Sequence, residues 1–216
     1  MLLIARAASA VIAILLLLSS GSPSAHTQDL FDEIYRRGQT FEQGLRTVTA
    51  RFTETSTSRL LKQPLVASGV LAVDRPSSKI ALHYQQPEAR TILIDGKTMR
   101  MEWPSRDLSQ KKDIGATMGR VQKYFVGASP RELRSHFEIA AQTDPENAAH
   151  WLVQMTPTRR QIKEGIARID LRIAQSSSML TSMRITFPNG DVKAMTFDDV
   201  VTNQPLPGSL FELPRK

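Results

Sequence analysis

The dipeptide Asp95-Gly96 sits between two runs that read as short β-strands, Thr91 to Ile94 and Thr98 to Trp103. Such a pair between alternating segments specifies a tight hairpin, and a two-residue turn can join only antiparallel neighbours. The pattern continues upstream. Ile80 to Gln85 forms another strand, set off from the next by Pro87, and before it Val70, Ala72 and Asp74 alternate with Leu71 and Val73 until Arg75-Pro76 interrupts. Proline has no N–H to give a ladder, so that strand ends there or lies at an edge. Four strands between Gly69 and Pro104 predict an antiparallel sheet.

The flanks extend it. From Gln28 to Gly44 the residues Leu30, Phe31, Ile34, Tyr35 and Phe41 recur at helical spacing. Asp29, Asp32 and Glu33 stand at the start, where the helix dipole favours negative charge, and Gly38 is a candidate break. Leu45 to Thr57 turns strand-like, with Val48, Ala50 and Phe52 on one face. Between Asp113 and Phe137 two short helices are expected. Met118, Val121, Gln122 and Phe125 mark the first, and Ser129-Pro130-Arg131-Glu132 opens the second, with Leu133 and Phe137 on its apolar side. Arg168 to Ile173 alternates polar and apolar residues, Met183, Ile185 and Phe187 continue the pattern, and Pro188-Asn189-Gly190-Asp191 turns the chain into Val192 to Asp198. Such alternation means a sheet with one wet face and one covered face. The fold class is mainly β, of the α+β kind.

Arg6 precedes an apolar run from Ala10 to Leu18 that gives way to Ser19-Ser20-Gly21-Ser22-Pro23-Ser24-Ala25, the order of a secretory signal peptide. The expected organisation is therefore a signal peptide at 1–25 and one domain at 26–216. There is no cysteine, which removes disulfides, thiolate nucleophiles and lipid attachment at a processed N-terminus. The formal charge of +7 comes from scattered Lys and Arg, a solvated basic surface rather than a nucleic-acid footprint. His26, His83, His136 and His150 lack metal-ligand spacing, and no nucleophile elbow, phosphate loop or zinc-binding His-Glu-x-x-His is present. No metal, cofactor or enzymatic activity is expected. Arg159-Arg160-Gln161-Ile162-Lys163-Glu164-Gly165 reads as a solvated turn, with docking to acidic headgroups as the alternative.

Several of these segments together resemble the LolA family, the periplasmic carriers of outer-membrane lipoproteins. The shared elements are a strand ending at Arg75-Pro76, a strand running from Tyr84 to Pro87, Asp95-Gly96-Lys97-Thr98 followed by a strand, and Pro104. Ala50-Arg51-Phe52-Thr53-Glu54 and Phe211-Glu212-Leu213-Pro214 are similar to the family's first and closing strand motifs. The resemblance implies an incomplete antiparallel β-barrel, with a lid of about three short helices over an apolar cavity. It further implies a monomeric periplasmic carrier that takes acylated lipoproteins from an inner-membrane transporter to an outer-membrane acceptor, touching membranes only through those partners. Arg75 matches the family's arginine that hydrogen-bonds the lid helices in the closed form. Candidate cavity-lining residues are Phe52, Val70, Leu82, Tyr84, Met99, Met101, Met183, Ile185, Met195 and Phe197. The methionines among them are flexible enough to accept acyl chains of differing shape. Leu82 stands where the family usually has tryptophan, and Arg100 and Glu102 replace an aromatic pair. These departures keep two alternatives in view, a carrier of another envelope lipid and a lipid-sensing regulatory module.

Overall fold

The Asp95-Gly96 turn forms as its residue types require, Gly96 taking a φ of 55°. It is one of a series of turns that fold the described residues into eleven strands of a single antiparallel sheet. The computed structural model describes residues 30–117, 119 and 128–213. The signal peptide expected at 1–25, the helical positions Met118, Val121, Gln122 and Phe125, and Pro214 lie outside them.

Helix α1 (Leu30–Gln43) leads into β1 (Thr47–Thr57), β2 (Leu65–Asp74), β3 (Lys79–Gln86), β4 (Arg90–Asp95), β5 (Thr98–Trp103) and β6 (Leu108–Asp113). Helix α2 (Pro130–His136) then precedes β7 (Phe137–Thr143) and β8 (His150–Pro157). A one-turn helix α3 (Arg160–Lys163) is followed by β9 (Arg168–Ala174), β10 (Leu180–Thr186) and β11 (Val192–Thr202). The spatial order β6-β5-β4-β3-β2-β1-β11-β10-β9-β8-β7 places the first and last strands side by side at the centre. The chain thus winds outward to β6, crosses to the far edge at β7 and winds back. Strands β6 and β7 do not pair, so the sheet is a half-barrel rather than a closed one.

Side-chain alternation decides which face curls inward. Phe52, Leu71, Leu82, Ile92, Met99, Ile169, Met183, Ile185 and Met195 are all buried on the concave face. The register sets Phe52 opposite Gly69, and Gly69 opposite Tyr84. A Cβ at Gly69 would run into the backbone of His83. Its absence leaves room for the Phe52 and Tyr84 rings to meet edge to face, 4.9 Å apart. On the convex face Ala72, Ala81 and Leu93 are covered by the C-terminal segment through Leu206, Leu210, Phe211 and Leu213. His83 faces that segment and bonds the Leu210 carbonyl at 2.8 Å, so it is half-covered rather than an open sheet-surface residue.

Several local expectations need correction. Gly38 does not break α1 but lies buried within it. The second short helix ends at His136, and Phe137 opens β7 instead of extending the helix. Residues 160–163 are helical, not a turn. The start of α2 follows the sequence. Ser129 Oγ accepts from the Glu132 N–H and the Glu132 carboxylate accepts from the Ser129 N–H, a reciprocal cap with Pro130 in the first turn.

The β7–β8 turn is pinned by Asp144, which is buried and accepts from Arg172 Nε on β9 at 2.6 Å. Burial alone would raise the pKa of this carboxyl. The bonds from Arg172 and the Glu146 N–H outweigh it and hold the pKa below the usual carboxylate value. A carboxyl depressed in this way contributes stability above its unfolded pKa of about 4 and loses it as pH falls through the lower folded value. Replacing Arg172 by leucine strands the charge of Asp144 and is expected to lower stability by about 2 kcal/mol at neutral pH. Urea melts should show the deficit shrinking under acid, as Asp144 protonates in the variant first.

Candidate functional site

Helix α1 is the element that turns the concave face into a site. Phe31, Ile34 and Tyr35 face inward, and Asp32 and Glu33 occupy the first turn. The helix lies across the half-barrel without filling it. Between them is a cavity of about 170 Å³. Its walls are Phe31, Ile34, Tyr35 and Phe41 from α1, Val153 and Met155 from β8, and Ile169, Leu171 and Ile173 from β9. Val48, Val200, Leu133, Met179 and Leu180 close it. The polar contribution is small, from Glu42, Ser178 and Thr202 at one side and the Tyr35 hydroxyl. Tyr35 donates that hydroxyl to the Ala128 carbonyl at 2.9 Å and accepts from Gln39 at 3.0 Å. Burial, with Glu42 and Glu132 nearby, raises its pKa, so the phenol stays neutral. Among the described residues that line this space, no nucleophile and base face each other. The chemistry available is burial of apolar surface.

Three arginines hold α1 down. Arg75, just past β2, donates through Nη1 to the Glu42 carbonyl at 2.7 Å and reaches the Leu45 carbonyl at 3.5 Å. Its Nη2 lies 3.9 Å from the Glu42 carboxylate. The last carbonyls of a helix lack partners within it, and a guanidinium with five donors suits them. Arg134 on α2 pairs with Asp32 at 2.8 Å and covers the Phe31 ring at 5.0 Å. Arg37 lies 5.1 Å above the Trp151 ring on β8.

The residues singled out from sequence are distributed in a telling way. Arg75 is at the helix end just described. Phe52, Leu82, Tyr84, Met99, Met101, Met183, Ile185, Met195 and Phe197 all lie in the core of the concave face. None of these nine is among the cavity walls, which belong to α1, α2, β8, β9, the β9–β10 turn with the start of β10, and the ends of β1 and β11. Val70 is half-buried and alternates onto the convex side with Ala72. The wall residues Leu171 and Ile173 were legible as one face of a strand. Nothing in the sequence marked that face as the unfilled part.

A family model described as "Outer membrane lipoprotein carrier protein LolA" matches residues 43–214. Among curated proteins no match is found. Among solved structures, an uncharacterized conserved protein from Thermus thermophilus superposes with a TM-score of 0.55 at 11% identity, covering 87% of this chain and 96% of that one. The Mycobacterium tuberculosis lipoprotein LppX gives 0.53 at 14% identity, covering 84% of this chain and 99% of its own. At such identities these likenesses concern the fold, an open sheet wrapped around a helical cover.

Proposed function

The chain belongs to the family of outer membrane lipoprotein carrier proteins, LolA, and on that premise we propose that it is a periplasmic carrier that shields acyl chains of lipoproteins between the two membranes of the envelope. The observation that carries the reading is the apolar cavity under α1. Burying a chain is worth about 0.8 kcal/mol per methylene, and a wall of branched, aromatic and thioether side chains supplies it without a fixed shape.

The volume adds a condition. A cavity of 170 Å³ is about large enough for a benzene-sized guest, whereas sites for larger ligands span roughly 300–1,000 Å³. An acyl chain enters only when α1 moves. The arrangement is therefore the closed state of a two-state lid, with Arg75 as its latch, and on opening the core residues Met183, Met195 and Phe197 become the floor that cargo meets. The inner-membrane transporter and outer-membrane acceptor are the partners this reading assigns.

The test is to fill the space. Leu171→Trp places a larger ring into the cavity from a half-buried position. It should leave the fold intact and weaken binding of a fluorescent palmitoyl probe about tenfold or more. Equal binding by the two proteins would remove the cavity from the mechanism. Mass spectrometry of material co-purifying with the wild-type chain then distinguishes cargoes: acylated protein supports the lipoprotein carrier, and a single other lipid class supports a carrier of that lipid.

A further inference from the structure

The β1–β2 connection carries a feature that cargo binding does not use. Leu60 at its tip is 90% exposed, and Leu65 and Val66 on its return are each 54% exposed. Arg59 and Lys62 flank them, both exposed, and no acidic residue occurs from Thr55 to Val73. The tip does not stand alone. Thr57 pairs with Val192, Thr186 pairs with both Val192 and Arg168, and Met155 pairs with Ile169. The β10–β11 turn and the β8–β9 connection therefore lie at the same end of the sheet. Arg59 packs over the Gly190 turn. Helix α3 adds Arg159, Arg160 and Lys163, all exposed, with Arg160 92% exposed and Glu164 offsetting one charge at 3.4 Å. Asp191 lies in the adjacent turn, and Glu88 is engaged by Arg106 at 2.6 Å. The cavity walls Val48, Ile173 and Thr202 belong toward the opposite end, while Met155 and Ile169 reach toward this one.

From the protruding leucines and the basic residues around them, we infer that this end of the half-barrel is a docking surface for an anionic lipid bilayer. The convex shape selects the occupant. A protein partner of standard size covers about 800 Å² of a fitting surface, and two or three side chains on a tip offer far less. A bilayer accepts a wedge only about 5–10 Å deep, and anionic headgroups complement the surrounding Lys and Arg. The inference stands independently of what the cavity holds.

The chain has no cysteine, so a probe can be placed at one site only. Leu60→Cys carrying an environment-sensitive fluorophore is titrated with vesicles of phosphatidylcholine alone and of phosphatidylcholine with phosphatidylglycerol. Gln204→Cys, exposed at the opposite end, carries the same label in a parallel sample. The expected result is a blue shift and rise in emission at position 60 with the anionic vesicles alone, reversed by salt, and no change at position 204. Arg160→Gln with Lys163→Gln should weaken that response about tenfold. A label at position 60 that stays aqueous, or equal responses at both positions, overturns the inference. So does a response to soluble polyglutamate equal to that with anionic vesicles, which would assign the surface to an acidic protein partner.

Discussion

Replacing Lys193 by methionine is expected to destabilise the protein by about 3–5 kcal/mol, more than any other single change considered. The ammonium of Lys193 lies 2.7 Å from Glu54, and both side chains are about 6% exposed on neighbouring central strands. Tyr84 donates to the other Glu54 oxygen at 2.9 Å, and Arg90 stands 3.9 Å away, its guanidinium 3.7 Å over the Tyr84 ring. Burial first, then the negative charge of Glu54, raises the pKa of Tyr84, so this phenol remains a neutral donor at physiological pH. Methionine fills nearly the volume of lysine but leaves the carboxylate without its close cation. Desolvation of an unpaired charge then dominates. Urea titration checks the size of the loss. Adding Glu54→Leu to Lys193→Met removes the stranded charge and should recover a large part of the stability. A single variant within about 1 kcal/mol of wild type would show that water or Arg90 already compensates Glu54.

Arg75→Leu is expected to leave a folded protein that holds acyl ligands about tenfold more tightly and passes correspondingly fewer of them to an acceptor at equilibrium. Hydrogen bonds from a charged donor contribute about 1.5–3 kcal/mol each, and under the proposed lid the bond from Arg75 to the Glu42 carbonyl belongs to the closed state alone. Losing it raises the open population about tenfold or more. The apparent affinity of a ligand that needs the open state rises by the same factor while that state stays minor. Equilibrium titration with a palmitoyl probe, and its partition to an excess of acceptor vesicles, measures that affinity directly. Wild-type affinity in the variant would sink the latch, and weaker binding would reverse its sign. Arg75→Lys should fall between, because a single ammonium cannot replace both Nη1, which serves the two carbonyls, and Nη2, which approaches the Glu42 carboxylate.

The legible parts of the fold were those where turn chemistry and alternation agreed. Asp95-Gly96 fixed one hairpin, Arg75-Pro76 ended a strand, and Ser129-Pro130 with Glu132 began a helix. The segment from Leu108 to Asp113 gave no signal because β6 is an edge strand exposed along most of its length, so its side chains have no buried face to alternate with. Phe137 shares helical spacing with Leu133, and only the tertiary pairing with Pro157 makes it a strand residue. The site was less legible for a geometric reason. Sequence alternation identifies which side chains point inward, but which of them touch one another and which border empty space depends on where α1 crosses. Met99, Met101, Met183 and Met195 were placed on the right face yet pack into the core, while Met155 and Met179 border the cavity.

The Arg75 contact has one further property. Arg75 donates to the main-chain carbonyl of Glu42 at 2.7 Å and reaches that of Leu45 at 3.5 Å, and its nearest approach to a side-chain oxygen there is 3.9 Å. A carbonyl is presented by every residue type, so the closing contact places almost no demand on which amino acids occupy the end of the helix. Mutational drift at the C-terminal end of α1 can therefore reshape the roof for different guests while this one contact persists, whereas changes at Asp32 or Arg37 would also disturb the other contacts that hold the helix.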